Sequence, residues 1–195
     1  MAADQKPYQG ERTRHLGGRD LLCAELNGID LPRADLKDAD LEGANLVGAL
    51  LDGASLQGAR LDNAKLKRVS LRGANLNYAA LKDADLDTAQ LQAANLANAH
   101  LDGTYMGHTE LQGADLTGAE LNGGSMVDAR LQGAELMHTQ FRGTYLVGAQ
   151  FPGADFSFAY FERVNWSGAQ LQGAEYGASE HFPNAYIWQA AYNLS

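Results

Sequence analysis

The side chains of this chain that could do chemistry are five histidines, one cysteine and 24 carboxylates, set against 15 lysines and arginines. A metal site needs three or four His, Cys or carboxylate groups converging on one point. His15, His100, His108, His138 and His181 are scattered along the chain, and Cys23 has no second cysteine to complete a CxxC pair. A nucleophilic serine on a strand-to-helix elbow reads Gly-x-Ser-x-Gly. The segment Gly123-Gly124-Ser125-Met126-Val127 ends in valine and misses that pattern. No glycine-rich stretch closes on Lys-Ser/Thr, the loop that cradles phosphates. Carboxylates are plentiful, but acid–base work needs a pocket that desolvates one of a pair. The expectation is a protein that is not an enzyme, with no catalytic residue, no cofactor and no metal.

What the carboxylates do depends on the backbone that holds them. That backbone is written most plainly in Leu36–Gln57, LKDADLEGANLVGALLDGASLQ. Leucine recurs at Leu36, Leu41, Leu46, Leu51 and Leu56, and alanine stands two places before the last four, at Ala39, Ala44, Ala49 and Ala54. On a helix, five residues advance about 500°, so the leucines would drift round the axis and form no stripe. On a strand, residues two apart share a face, so Ala39 and Leu41 point together and Asp40 points away. Five is odd, however, and an unbroken strand would turn the next leucine outward. Both apolar residues stay inside only if the chain turns once per repeat. Gly43, Gly48, Gly53 and Gly58 sit two places after the leucines, where such a turn falls. A chain that bends inward at every repeat winds into a coil, and stacked coils pair through their backbones. The register runs unbroken from Leu21 to Tyr176, through 32 large apolar centres. The place two before each centre is Ala, or otherwise small or β-branched, except at Arg19.

The triplets Ala34–Leu36 (ADL), Ala44–Leu46 (ANL) and Ala114–Leu116 (ADL) resemble the Ala-Asp/Asn-Leu-x-x consensus of the pentapeptide-repeat proteins. The resemblance implies an all-β fold, a right-handed quadrilateral β-helix (a solenoid) with four repeats per coil, hence about 8 coils in a single elongated domain. The expected boundaries are a polar lead-in or cap over 1–18, the β-helix over 19–178 and a C-terminal cap over 179–195. That last segment reads as a short helix with Asn184 as its N-cap. Its apolar residues Phe182, Tyr186, Ile187, Trp188 and Tyr192 suit an end cap, and the resemblance adds a homodimer formed through it.

Composition narrows the partners. Net charge is −9 and the pI about 4.9, which argues against direct binding to a phosphate backbone. One cysteine allows no internal disulfide and fits a reducing compartment. The polar start MAADQKPYQGERTRH contains no signal-peptide core, and no run of about twenty apolar residues exists to span a membrane. The expected location is the cytoplasm.

With four repeats per coil, residues twenty apart stack. One column reads Asp35, Ser55, Asn75, Asn95, Asp115, Glu135, Asp155, Glu175. Its last four members, Asp115, Glu135, Asp155 and Glu175, form a candidate acidic interaction face. With its flanking residues that side sums to −5, the next side to −4 and the other two together to −1. Asp and Asn are also the residues that bond local backbone in turns, which is a structural reason for them. The resemblance to gyrase-protecting members implies a further use, in which the acids act as a DNA mimic toward a topoisomerase; those members carry coil-breaking loops that this chain lacks. Lys65, Lys67, Arg68 and Arg72 make a candidate basic patch, a contact for an acidic partner or simply solvated charge. Tyr105 and Tyr145 share an outward column with Ser125 between them and are candidate contact residues. The sequence therefore reads as a non-catalytic interaction scaffold that meets a protein partner through the surface of a rod.

Overall fold

The computed structural model describes residues 15–177. The lead-in before residue 15 and the expected cap and homodimer residues Phe182, Tyr186, Ile187, Trp188 and Tyr192 lie outside the described residues.

The repeat around Leu41 shows why five residues suffice for one side of a coil. The Leu41 N–H donates to Arg60 O in the next coil (2.7 Å), and Gly43 N–H donates to Asp62 O (2.9 Å). The Ala44 N–H closes the turn onto Leu41 O (3.0 Å), and Asn45 N–H reaches back to Ala24 O in the preceding coil (2.9 Å). Four of five donors are thus used, three of them between coils. This scheme recurs along the rod, so every side is a parallel ladder with a step of twenty residues, as in His15↔Asp35, Asp20↔Asp40, Glu25↔Asn45 and Asp30↔Leu50. A turn every five residues and a step of twenty define a four-sided coil. We number the sides by those four ladders, first to fourth. The first ladder climbs eight steps from His15 to Glu175 without a break. Residues 15–18, read from the sequence as lead-in, already belong to it. Among the described residues pairing lengthens into true strands only at β1 (Gln140–Arg142) and β2 (Tyr160–Glu162), which are parallel with Phe141 opposite Phe161.

The interior is a column of large and small apolar side chains. Leu76, Leu81, Leu86, Leu91 and Leu96, and the alanines two places before each, are fully buried. Thr104, Thr109, Thr139 and Thr144 replace alanine in four repeats and are equally buried. Each hydroxyl donates to a carbonyl of a nearby centre, as Thr139 Oγ1 does to Leu116 O (2.9 Å) and Thr144 Oγ1 to Leu121 O (2.7 Å). A buried hydroxyl without such a bond would be expensive. Toward the C-terminal end the column becomes aromatic. Phe141 stacks on Phe161 with centroids 5.1 Å apart, and Phe156 meets Trp166 edge-on at 6.0 Å.

Turn geometry departs from the simple expectation of glycine. All positions two after a centre from 18 to 173 have positive φ; seventeen are glycine and fifteen are not, Arg33, Tyr78 and Phe158 among them. The inter-coil ladders hold these side chains in a left-handed conformation that isolated residues of their type avoid.

Candidate functional site

The outward place before each centre owes its residue type to the fifth backbone donor. The N–H of the residue after the centre takes no part in the ladder, and in fourteen repeats a side chain reaches it. In ten repeats the Asp or Asn two residues earlier accepts it, as Asp40 Oδ1 accepts Glu42 N–H (3.2 Å) and Asn95 Oδ1 accepts Ala97 N–H (2.9 Å). In four more the acceptor comes from the preceding coil, as with Asp52 and Arg72 N–H (3.0 Å). Many of the acids therefore have a structural task.

The acidic column divides on this criterion. The structure stacks Asp115, Glu135, Asp155 and Glu175 as consecutive steps of the first ladder. Asp115 Oδ1 accepts Thr117 N–H (2.9 Å) and Asp155 Oδ1 accepts Ser157 N–H (2.8 Å), and both are half-buried. Glu135 and Glu175 are exposed and make no such bond among the described residues, so their charge serves no local backbone there.

Countercharges lie elsewhere. On the second side Arg60 pairs with Asp40 (2.7 Å) and with Glu42, His100 with Glu120 (3.0 Å), and both Arg142 and Arg163 approach Glu162 (3.9 Å each). On the third, Lys67 pairs with Asp85 (3.3 Å) and His108 lies 3.9 Å from Asp128; on the fourth, Arg130 lies 3.7 Å from Glu110. Among the described residues the first side holds no ion pair. Its ladder is edged instead by an exposed aromatic pair, His138 stacked on Phe158 with centroids 5.1 Å apart and planes 11° apart. Phe158 is not among the candidates the sequence offers, although its spacing of twenty from His138 marks the pair.

The basic patch is less basic in space than in sequence. Lys67 is paired with Asp85, Lys65 sits opposite Asp85 in the third ladder, and the backbone N–H of Arg72 is bonded by Asp52. Acids from the coils above and below dilute Lys65, Lys67, Arg68 and Arg72. His100, His108 and His138 go to separate neighbours, and among the described residues no three His, Cys, Asp or Glu side chains form a metal-sized group. An open depression of about 470 Å³ lies at Arg163, Val164, Asn165, Trp166 and Ser167 and brings no acid–base pair together.

The periodic ladder, the buried Ala/Leu column and the step of twenty agree with the family comparison. The family model for pentapeptide repeats matches residues 24–53, 54–91, 89–126, 125–157 and 149–175. This chain belongs to the pentapeptide-repeat family. Its fold is accordingly the right-handed quadrilateral β-helix of that family. Among solved structures, a trypsin-treated form of QnrB1, a plasmid-mediated fluoroquinolone resistance protein, is 19% identical over 92% of this chain and 94% of that one, with a TM-score of 0.61. HetL, a pentapeptide-repeat protein involved in heterocyst differentiation regulation from the cyanobacterium Nostoc sp. strain PCC 7120, is 31% identical over 83% of this chain and 84% of its own, with a TM-score of 0.36. A pentapeptide-repeat protein from the cyanobacterium Cyanothece 51142 is 25% identical over 71% and 91%, with a TM-score of 0.43. No curated protein matches the chain. No helix among the described residues is long and apolar enough to cross a membrane.

Proposed function

We propose that this pentapeptide-repeat protein is a non-catalytic interaction module whose first side binds a cationic surface on a partner protein. The observation that carries this reading is the Asp115–Glu135–Asp155–Glu175 ladder, which has no ion pair among the described residues while each of the other three sides has at least one. Unpaired like charges on a rigid support repel one another until a complementary surface arrives, which favours association and speeds it. The test uses octalysine as probe, followed by fluorescence anisotropy at 50 and 200 mM salt. Changing Asp115 and Asp155 to Asn and Glu135 and Glu175 to Gln should weaken binding at least tenfold. A control that neutralises Asp40, Glu42, Asp62 and Asp102 on the second side removes the same charge. Equal weakening by both variants would assign the binding to net charge alone and refute the reading.

A second reading, a DNA mimic acting on gyrase or another topoisomerase, is favoured by the regularity of the ladder. Charge density opposes it: one carboxylate per coil is one per about 4.8 Å, against one phosphate charge per about 1.7 Å of duplex axis. The unbroken ladder from His15 to Glu175 also lacks the loops that the family resemblance attaches to gyrase protection. A gyrase supercoiling assay separates the readings. The mimic predicts a change in supercoiling that disappears in the ladder variant, and the scaffold predicts no change.

A further inference from the structure

The third side carries a gap in an aromatic column. Tyr105, Ser125 and Tyr145 are successive steps of one ladder. The tyrosines are 60% and 54% exposed. Neither ring meets another ring among the described residues. The rod itself shows how rings stack across one coil. His138 and Phe158 lie 5.1 Å apart with planes at 11°, and Phe141 and Phe161 lie 5.1 Å apart at 13°. Tyr105 and Tyr145 are two coils apart, roughly 9.6 Å at the usual inter-strand spacing. The place between them belongs to Ser125, which offers only a hydroxyl. At that spacing the interval between the two tyrosine positions is one ring thick, with Ser125 at its middle step. A flat group held midway would lie about 5 Å from each ring, inside the range of aromatic stacking and of cation–π attraction.

Charge beside the gap selects the guest, since the cations of this side, Lys65, Lys67 and Arg68, lie two coils before Tyr105. Asp87, one coil before Tyr105's turn, leans over Gly107, where a Cβ would lie 2.8 Å from Asp87 Oδ1. Asp128 in turn leans over Gly148, in the coil of Tyr145, and occupies the space a Gly148 Cβ would need. Asp87 has no cation partner among the described residues, and Asp128 has only His108 at 3.9 Å. A flat group that is also a cation is a guanidinium. A nucleotide would bring its phosphate against these carboxylates.

We propose that the gap between Tyr105 and Tyr145 receives one arginine side chain of a partner protein, stacked between the two rings above Ser125. The proposal rests on the reading of the rod as a protein-binding module but uses a different side from the acid ladder. The test therefore uses full-length protein with Asp115, Glu135, Asp155 and Glu175 already neutralised. Blocked Gly-Arg-Gly, Gly-Lys-Gly and Gly-Phe-Gly tripeptides are titrated while the tyrosine ring resonances are followed by NMR. The arginine peptide should shift Tyr105 and Tyr145 saturably and bind at least threefold tighter than the other two. Tyr145→Ser, which removes one exposed wall, should weaken it roughly threefold to tenfold. Ser125→Tyr fills the gap and should abolish the shifts while the circular dichroism spectrum stays that of the parent. Equal binding of lysine or phenylalanine peptide, no saturable shift, or unchanged binding by folded Ser125→Tyr would each overturn the proposal. Failure of this test in the neutralised background leaves the octalysine result untouched, so the two ideas fall separately.

Discussion

Neutralising Glu135 should stabilise the rod, and by an amount that salt controls. Glu135 stands between Asp115 and Asp155, one coil from each, and its side chain accepts no backbone donor. Two unit charges about 5 Å apart in water repel by about 0.8 kcal/mol, so two neighbours give about 1.7 kcal/mol before screening. With a Debye length of about 8 Å at 0.15 M salt, roughly half survives, about 0.9 kcal/mol; about 1.4 remains at 10 mM and about 0.3 at 1 M. Glu135→Gln keeps the shape and removes the repulsion, so its urea midpoint should exceed the wild type's, most at 10 mM salt and least at 1 M. Asp155 supplies the internal contrast. Asp155→Asn keeps an oxygen for Ser157 N–H and should also stabilise. Asp155→Ala loses a bond of 2.8 Å to a charged acceptor, a class worth about 1.5–3 kcal/mol, and should destabilise despite the relieved repulsion. A Glu135→Gln protein that is no more stable than wild type at 10 mM, or whose gain ignores salt, would refute the view of the ladder as a store of repulsion awaiting a partner.

Other substitutions test the scaffold. Leu96 is fully buried, so Leu96→Asp strands a charge in the column and should lower stability by about 3–5 kcal/mol, read by urea unfolding. Ala94, two places before it, is fully buried, and overpacking by Ala94→Leu should cost about 1–3 kcal/mol in the same assay. Tyr78 is 59% exposed at φ 58°, so Tyr78→Asn should raise the thermal midpoint, gaining about 0.5–1 kcal/mol by relieving left-handed strain. Thr139→Val keeps the shape and deletes the bond to Leu116 O, with an expected loss of about 1 kcal/mol.

The interior was legible because its rule is short. A period of five with alanine and leucine at fixed places admits only a backbone that turns once per repeat, and Leu76, Leu81, Leu86 and Leu91 are buried as that demands. The number of sides and the hand came from the family resemblance, since a turn every five residues closes no particular polygon by itself. The turns were only partly legible: glycine marks seventeen of them, but Tyr78 and Phe158 show that the ladders impose positive φ without it. Charge was the least legible. Lys65, Lys67, Arg68 and Arg72 cluster along the chain, yet the neighbours that decide their field lie in the adjoining coils, as Asp85 does for Lys67. The pair formed by Arg60 and Glu42 spans eighteen residues and needs a long side chain to cross a turn, which no column diagram shows.

The repetition that makes the interior so readable also removes function from it. Most coils bury alanine and leucine and use the same backbone donors, with the aromatic centres and four threonines as exceptions, so the interior does little to distinguish one side from another. Identity resides in three outward places per repeat: the residue before the centre and the two that make the turn. The first of these is further constrained, because Asp or Asn there is often claimed by the fifth N–H, as Asp115 and Asp155 are. Residues at these places that no backbone task explains carry the most information. Glu135 and Glu175 on the first side, and Tyr105 and Tyr145 on the third, are such residues: exposed and without an ion pair or ring partner among the described residues. Their steps along the axis are multiples of one inter-strand spacing, about 4.8 Å. A partner that reads this rod must therefore present its own groups at the same interval, which favours an extended segment running along a side over a rounded surface that touches a single coil.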